Sequence, residues 1–482
     1  MSLKNKAIAG FKWSLVDTFL RYFLTFFIGI ILARLLSPRD YGLIGMTSIF
    51  IAVSKVFIDS GFSDALIRKI EPLEEDYSSV FIFNLILSVF FYIILYCCAP
   101  LISTFFNEPK LILIIRIVGI SLIIGALSII QTTILKKRLD FKLQAIIGFF
   151  STLISGIVSV SMAFSGYGVW SLVLSGIISG LTSAILLWTL NKWRPQLFFS
   201  FRIIKEHFTF GSKIMLGSFA NMIYDNMYYM LIGKLFKPTQ LGFYTKADGF
   251  QKLPASTIDI IVRQVTYPLL STIQSEPYKL KNTYKILIQI TSFLVFVLLF
   301  GLAAVAEPFI VTLIGDKWLQ SVPFLQLLCF VGIFYPLISI NCNILNVKGR
   351  SDLSLLIQIL KVILSIPALI LGYYYGITAM IFGMIGASLF LFIFIIFLTN
   401  KMIEYSVKEQ LTDIGKSFLF ALTVVFPVFV LSYIIHFKAP LLLVTLFVTG
   451  LVFYVLIGEL SKNKEYNMIK ELLLSKLHDI KA

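Results

Sequence analysis

Apolar runs of about 20 residues follow one another along this chain, parted by short polar stretches, and that is the length a helix needs to cross a hydrocarbon layer. The pattern predicts spans over residues 11–35, 41–63, 80–105, 111–135, 144–164, 168–190, 209–235, 249–270, 286–305, 322–345, 355–374, 376–398, 417–436 and 441–457. The expected fold is therefore all-α and polytopic, with about fourteen transmembrane helices.

One stretch of the pattern is written twice. Arg34-Leu35 with Pro38 and Gly42 returns as Lys234-Leu235 with Pro238 and Gly242, in register. Arg138-Leu139-Asp140-Phe141 recurs as Arg350-Ser351-Asp352-Leu353, and Tyr167-Gly168-Val169 as Tyr375-Gly376-Ile377. Duplication predicts two six-helix lobes, 1–190 and 209–400, joined by a cytoplasmic linker at 191–208. Residues 401–482 then hold two additional helices and a basic tail. A duplicated membrane bundle leaves a site between its lobes as the expectation.

Composition agrees with a membrane protein: 58% of residues are hydrophobic, 14% are charged and the mean hydropathy is +0.92. The net charge of +16 comes from 41 lysines and arginines, most of which fall in alternate loops and the tail. Under the positive-inside rule both termini are cytoplasmic, and an even helix count per copy makes the repeats parallel. Cations spread over many short loops suit topology and anionic lipid, so nucleic acid is not an expected partner. The first span is too long for a signal-peptide core and is expected to be retained.

Little conventional chemistry is visible. Cys97, Cys98, Cys329 and Cys342 all fall within spans, and His207, His436 and His478 share no neighbourhood in sequence, so no metal site is expected. No phosphate-binding GxxxxGK[ST] loop occurs, so movement of a solute would draw on a gradient, with H+ or Na+ as coupling ion, or on the solute's own energetics. No catalytic residue and no cofactor is expected.

What remains is charge inside the membrane, where it is costly and usually faces a bundle interior or a wet cavity. The first two helices of each copy carry Asp17, Arg21, Lys55, Asp59, Lys213, Asp225, Lys252, Asp259 and Arg263, while the other spans add Arg116 and Lys361, read as interior pairs ahead of second-lobe relays. Asp17 with Arg21, Lys55 with Asp59, Asp248 with Lys252 and Asp259 with Arg263 stand four residues apart, as i,i+4 salt bridges would. The same cations, Arg21, Lys55, Lys252 and Arg263, would serve a travelling anion as stations in a hydrated passage. Both readings stay open for each pair.

Asp225, with no basic residue three or four positions away, is the first candidate for ion coupling, ahead of Asp59, Asp259 and Asp17. Beside it Asn221, Tyr224 and Tyr228 fall within two helical turns; rings and amides of this kind suit a glycan, or an aromatic belt at the interface. Lys213 is read as a snorkelling topology residue.

Residues 32–43, then Asp59-Ser60-Gly61-Phe62-Ser63-Asp64-Ala65-Leu66-Ile67-Arg68, then 135–141 and Gly166-Tyr167-Gly168-Val169-Trp170-Ser171-Leu172, resemble the bacterial polysaccharide repeat-unit flippases of the Wzx type, within the multidrug, oligosaccharidyl-lipid and polysaccharide flippase superfamily. The resemblance runs over essentially the whole chain. It implies two lobes in a V, a cavity alternating between membrane faces, and an oligosaccharide on undecaprenyl pyrophosphate as substrate. It further implies residence in the bacterial inner membrane and a part in O-antigen, capsule or exopolysaccharide assembly, with a polymerase and a chain-length regulator as candidate partners besides membrane lipids. Arg21 matches a cavity arginine on helix one of related lipid flippases, with Arg263 in that part on helix eight. The last two spans correspond to helices that form a lipid-tail groove in such relatives, or pack peripherally. An ion-coupled multidrug exporter of the same superfamily, and a membrane glycan polymerase or glycosyltransferase, are the alternatives.

Overall fold

A computed structural model describes residues 3–471; the side chains of residues 3–12 and 14–18, Asp17 among them, and His478 lie outside the described residues. The chain forms α1 (Leu3–Leu35), α2 (Pro38–Asp59), α3 (Phe62–Arg68), α4 (Glu74–Phe106), α5 (Leu111–Lys137), α6 (Phe141–Phe164) and α7 (Val169–Leu190). The second copy follows with α8 (Phe201–Leu235), α9 (Pro238–Thr272), α10 (Pro277–Ala304), the short α11 (Ala306–Ile314), α12 (Ser321–Gly332), α13 (Phe334–Val347), α14 (Ser351–Tyr375) and α15 (Ile377–Ile403). Two last helices, α16 (Val407–Ile434) and α17 (Ala439–Ser461), complete it, and no strand occurs among the described residues.

Eleven segments of the described residues are long and apolar enough to cross a membrane. Helices α8 and α9, at 35 residues each, have the length but are not among them, because polar and charged residues interrupt their apolar runs. Those two helices carry much of the charge singled out in the sequence.

Local chemistry places the turns. Ser37 caps α2 reciprocally with Asp40, its hydroxyl donating at 2.6 Å to a carboxylate that also accepts from the Ser37 amide at 2.9 Å, and Pro38 follows at the first helical position. The second copy keeps the proline, Pro238, and puts Lys237 where the cap stood. Asp140 caps α6 by accepting from the Leu143 amide at 3.1 Å, and glycines with positive φ, Gly168 (54°) and Gly376 (90°), open α7 and α15.

Three local features depart from uninterrupted spans. The expected helix over 41–63 breaks at Ser60 and Gly61, both left-handed (φ 46° and 73°), and that over 322–345 breaks at Ile333. Between α10 and α12 the chain folds into α11 and a 3-10 turn over Asp316–Trp318.

The chain divides into two compact units, Met1–Thr245 and Lys246–Ala482. In the first, α1 lies along α6, and α8 lies along α2, α3 and α4. In the second, α10 packs on α16, α14 on α15, and α17 on α11 and α16.

Candidate functional site

In the first unit the two copies of the repeated hairpin cross. A Cβ on Gly42 would fall on the Pro238 carbonyl, and a Cβ on Gly242 would fall on the Pro38 carbonyl. Each copy thus supplies the glycine that lets the other's proline backbone in, so glycine is required at both positions by close approach. At the other end of α8, Gly211 meets the broken turn after α2, where a Cβ on Gly211 would stand 2.6 Å from the Ser60 carbonyl. Lys234 closes the first crossing by donating to the Phe105 carbonyl at 2.6 Å, with its ammonium 4.5 Å from that ring.

The turn at Ser60 decides what becomes of Asp59. As the last residue of α2, its carboxylate accepts from the Ser63 hydroxyl at 2.6 Å and caps α3 through the Ser63 amide at 3.4 Å. The expected Lys55–Asp59 salt bridge is not formed, because that carboxylate is aimed along the chain into the next helix. Lys55 stands exposed, with no ion-pair partner among the described residues.

Helix α8 carries most of the remaining first-unit candidates. Asp225 is exposed. Tyr224 and Tyr228 are buried at 7% and 3% exposure, their rings edge to face at 5.9 Å. Asn221 is half-buried and donates to its own helix at Gly217, 3.2 Å away. The two tyrosines and Asp225 thus present different faces of one helix. Arg21 and Lys213 are exposed.

In the second unit the expected pairs on α9 are present. Lys252 meets Asp248 at 2.8 Å, and Arg263 meets Asp259 at 3.0 Å. The Arg263 Nε also donates to the Ser339 hydroxyl at 2.9 Å, leaving most of the guanidinium, at 63% exposure, free to meet another group. The second carboxylate oxygen of Asp259 is buried with no hydrogen bond. Arg116 and Lys361 each lie over a ring within their own unit, Tyr96 at 4.2 Å and Tyr335 at 5.2 Å.

Sequence reasoning missed two buried polar anchors. In the first unit Asp76 (1% exposed) lies 3.0 Å from the His207 ring nitrogen and 2.8 Å from the Lys69 ammonium. The Asp76 carboxylate holds the Lys69 ammonium above its usual value, through the hydrogen bond they share. Around them Trp193 donates to Glu74 at 2.6 Å, and the Ser78 hydroxyl accepts from the Gln196 amide at 2.9 Å. The linker after α7 is thereby fastened to the first turns of α4. In the second unit Asn341 accepts from Tyr284 at 2.8 Å and from Thr399 at 3.1 Å, while Gln410 donates to Tyr284 at 3.2 Å. Asp413 accepts from Tyr405 at 2.6 Å and pairs with Lys285 at 3.1 Å. The segment after α15 is thereby fastened to α10, the counterpart of α4. Asp76 and His207 are 131 residues apart, so no local spacing could announce the pair.

Relatives of known name sharpen the picture. A family model described as polysaccharide biosynthesis protein matches residues 31–323. The teichuronic acid biosynthesis protein TuaB of Bacillus subtilis is 26% identical over 73% of this chain and 74% of its own length. The lipopolysaccharide biosynthesis protein WzxC of Escherichia coli is 25% identical over 90% and 88%, and the succinoglycan biosynthesis transport protein ExoT of Rhizobium meliloti is 25% identical over 67% and 66%. Among solved structures, the lipid II flippase MurJ in an inward closed conformation shares the fold at a TM-score of 0.76 and 16% identity, over 93% of this chain and 98% of that one. An inward-facing multidrug resistance MATE family transporter of the MOP superfamily follows at 0.62 and 15%, over 80% and 96%. The resemblance carried by residues 32–43, 59–68, 135–141 and 166–172 is thus met in both sequence and fold, and the chain belongs to the polysaccharide biosynthesis protein family.

Proposed function

We propose that this protein is a flippase that carries an oligosaccharide repeat unit, linked to undecaprenyl pyrophosphate, from the cytoplasmic to the outer face of the bacterial inner membrane by alternating access. The family match carries this reading, and the names of the relatives, which speak of teichuronic acid, lipopolysaccharide and succinoglycan, support a polysaccharide-building pathway. The fold shared with a lipid II flippase supports a lipid-linked cargo.

The chemistry fits that cargo. A diphosphate crossing the membrane needs cations at depth, and Lys55, the half-engaged Arg263 and Arg21 supply them on α2, α9 and α1. Arg263 offers a planar fork to phosphate oxygens, which a lysine cannot reproduce. In this reading α1, α8 and α9 join the eleven apolar segments to make fourteen spans, arranged as two parallel six-helix lobes with α16 and α17 added, and both termini are cytoplasmic. Asp225 is the carboxylate assigned to coupling with H+ or Na+, because it is exposed and outside every ion pair among the described residues.

Lipid analysis of a strain lacking the protein tests the reading. Lipid-linked oligosaccharide should accumulate on the inner leaflet, out of reach of enzymes added to the outer face. Accumulation on the outer face, or none at all, would overturn it.

A further inference from the structure

We infer that the first unit holds a binding site for an anionic phospholipid at the α4–α5 hairpin, centred on Arg116. Helix geometry gives this arginine no partner of its own, because three and four residues to either side on α5 stand Ile112, Leu113, Gly119 and Ile120. Packing supplies none either: no hydrogen bond or ion pair reaches its guanidinium among the described residues, and its Nε is buried unbonded. A cation in an apolar segment is costly until an anion meets it.

The guanidinium is held in place by rings. It lies over Tyr96 of α4 at 4.2 Å, and Tyr92, one turn earlier, packs edge-on against Tyr96 with centroids 6.1 Å apart. Gly119 admits Tyr92, since a Cβ there would stand 3.0 Å from that ring. Around this seat the surface is apolar, with Leu113 and Ile93 each 54% exposed and Ile120 38% exposed. An exposed apolar surround on two spanning helices meets lipid, where a watery passage would be walled with polar groups. An unpaired cation alone would say little, because Lys55 is another; the ring seat, the unbonded Nε and the apolar surround occur together at Arg116.

Depth and chemistry select the occupant. Arg116 follows Leu111, the first residue of α5, by five positions, about 8 Å along the helix, so its long side chain reaches the headgroup layer. A planar guanidinium takes two phosphodiester oxygens at once. A choline or ethanolamine headgroup brings its own cation to that phosphate, whereas a glycerol headgroup leaves the phosphate's charge to the protein. A free phosphate would gain nothing from the apolar surround. In the topology proposed above this site faces the outer leaflet, but the recognition depends neither on that topology nor on the flippase reading.

Fluorescence of the full-length protein in bilayers tests the proposal. Leu113→Trp adds a reporter beside the seat, read as the difference from the parent's emission. Acyl-brominated phosphatidylglycerol diluted in plain phosphatidylcholine, compared with the reverse pairing, should quench that added emission with a preference of about fivefold for phosphatidylglycerol, the worth of one cation near anionic lipid. Adding Arg116→Gln should abolish the preference and keep the quenching, while Arg116→Lys should retain only the share that charge alone supplies. Tyr96→Leu, which keeps the charge and removes its seat, should lower the preference in a protein whose arginine is intact. Inorganic phosphate should weaken the preference no more than sodium chloride of equal ionic strength. Absence of quenching by acyl bromines, equal quenching by the two lipids, a full preference in Arg116→Gln or Tyr96→Leu, or displacement by phosphate itself would overturn the proposal.

Discussion

Helices α2 and α9 hold the same place in the two copies, and they treat their charges differently. In α2 the helix stops at Asp59, the carboxylate turns to Ser63, and Lys55 is left exposed without an ionic partner among the described residues. In α9 the helix runs on to Thr272, and both Lys252 and Arg263 close on carboxylates one turn away. The i,i+4 spacing is the same in both; the continuity of the helix decides whether it becomes a salt bridge. A pair that is closed lowers its own burial penalty, whereas a lone cation keeps its full attraction for an incoming anion.

If that difference is functional, Lys55→Gln should cause the largest loss of lipid-linked oligosaccharide transfer. A fall of about ten- to a hundredfold is expected, the equivalent of losing one charge-assisted hydrogen bond of ~1.5–3 kcal/mol. Protein level and melting temperature should stay near the parent's, since nothing in the fold leans on Lys55. Arg263→Gln, by contrast, strands the partly buried Asp259 and should lower the amount of inserted protein. The double variant Arg263→Gln with Asp259→Asn should restore insertion, and its transfer rate reads out the guanidinium's own share. Equal losses from Lys55→Gln and from the double variant would erase the contrast between the helices.

The hairpin crossing should behave alike in both copies. Gly42→Ala and Gly242→Ala each push a methyl group into a proline carbonyl, and each should destabilise the detergent-solubilised protein by about 1–3 kcal/mol, as overpacking does. A clear melting shift for only one of them would show the crossing to be less reciprocal than its geometry. Asp225→Asn should leave melting unchanged and remove the dependence of transfer on an imposed H+ or Na+ gradient; a variant that keeps the parent's full dependence would clear Asp225 of that role. The smallest effect is expected at Ser37. Its capping box has no counterpart at Lys237, so Ser37→Ala should cost about 1 kcal/mol of stability and leave transfer intact.

Much of this was legible in the sequence because membrane helices write their own length. The boundaries of α5, α6, α7 and α14 fall within a few residues of the apolar runs that predict them, and the doubled Pro38/Gly42 and Pro238/Gly242 signature marks the place where two backbones touch. Asp248–Lys252 and Asp259–Arg263 were readable as pairs because helix geometry alone brings them together. Between the two readings of Lys55 and Asp59 the spacing could not decide, because a left-handed turn at Ser60 is invisible to a periodicity argument, although the following Gly61 hints at it. The Asp76–His207 and Tyr284–Asn341–Gln410 anchors were not legible at all, since their partners meet only after distant helices pack.

The central claim is that cations on the membrane helices, Lys55 foremost, carry a lipid diphosphate across the membrane. Its most direct test is transfer of a polyprenyl-diphosphate oligosaccharide between leaflets of proteoliposomes, with the parent and Lys55→Gln side by side. The account predicts transfer by the parent, strongly reduced in the variant at equal protein content. Absence of transfer by correctly inserted parent protein, undiminished transfer by Lys55→Gln, or transport of a lipophilic cation in place of the diphosphate lipid would contradict it.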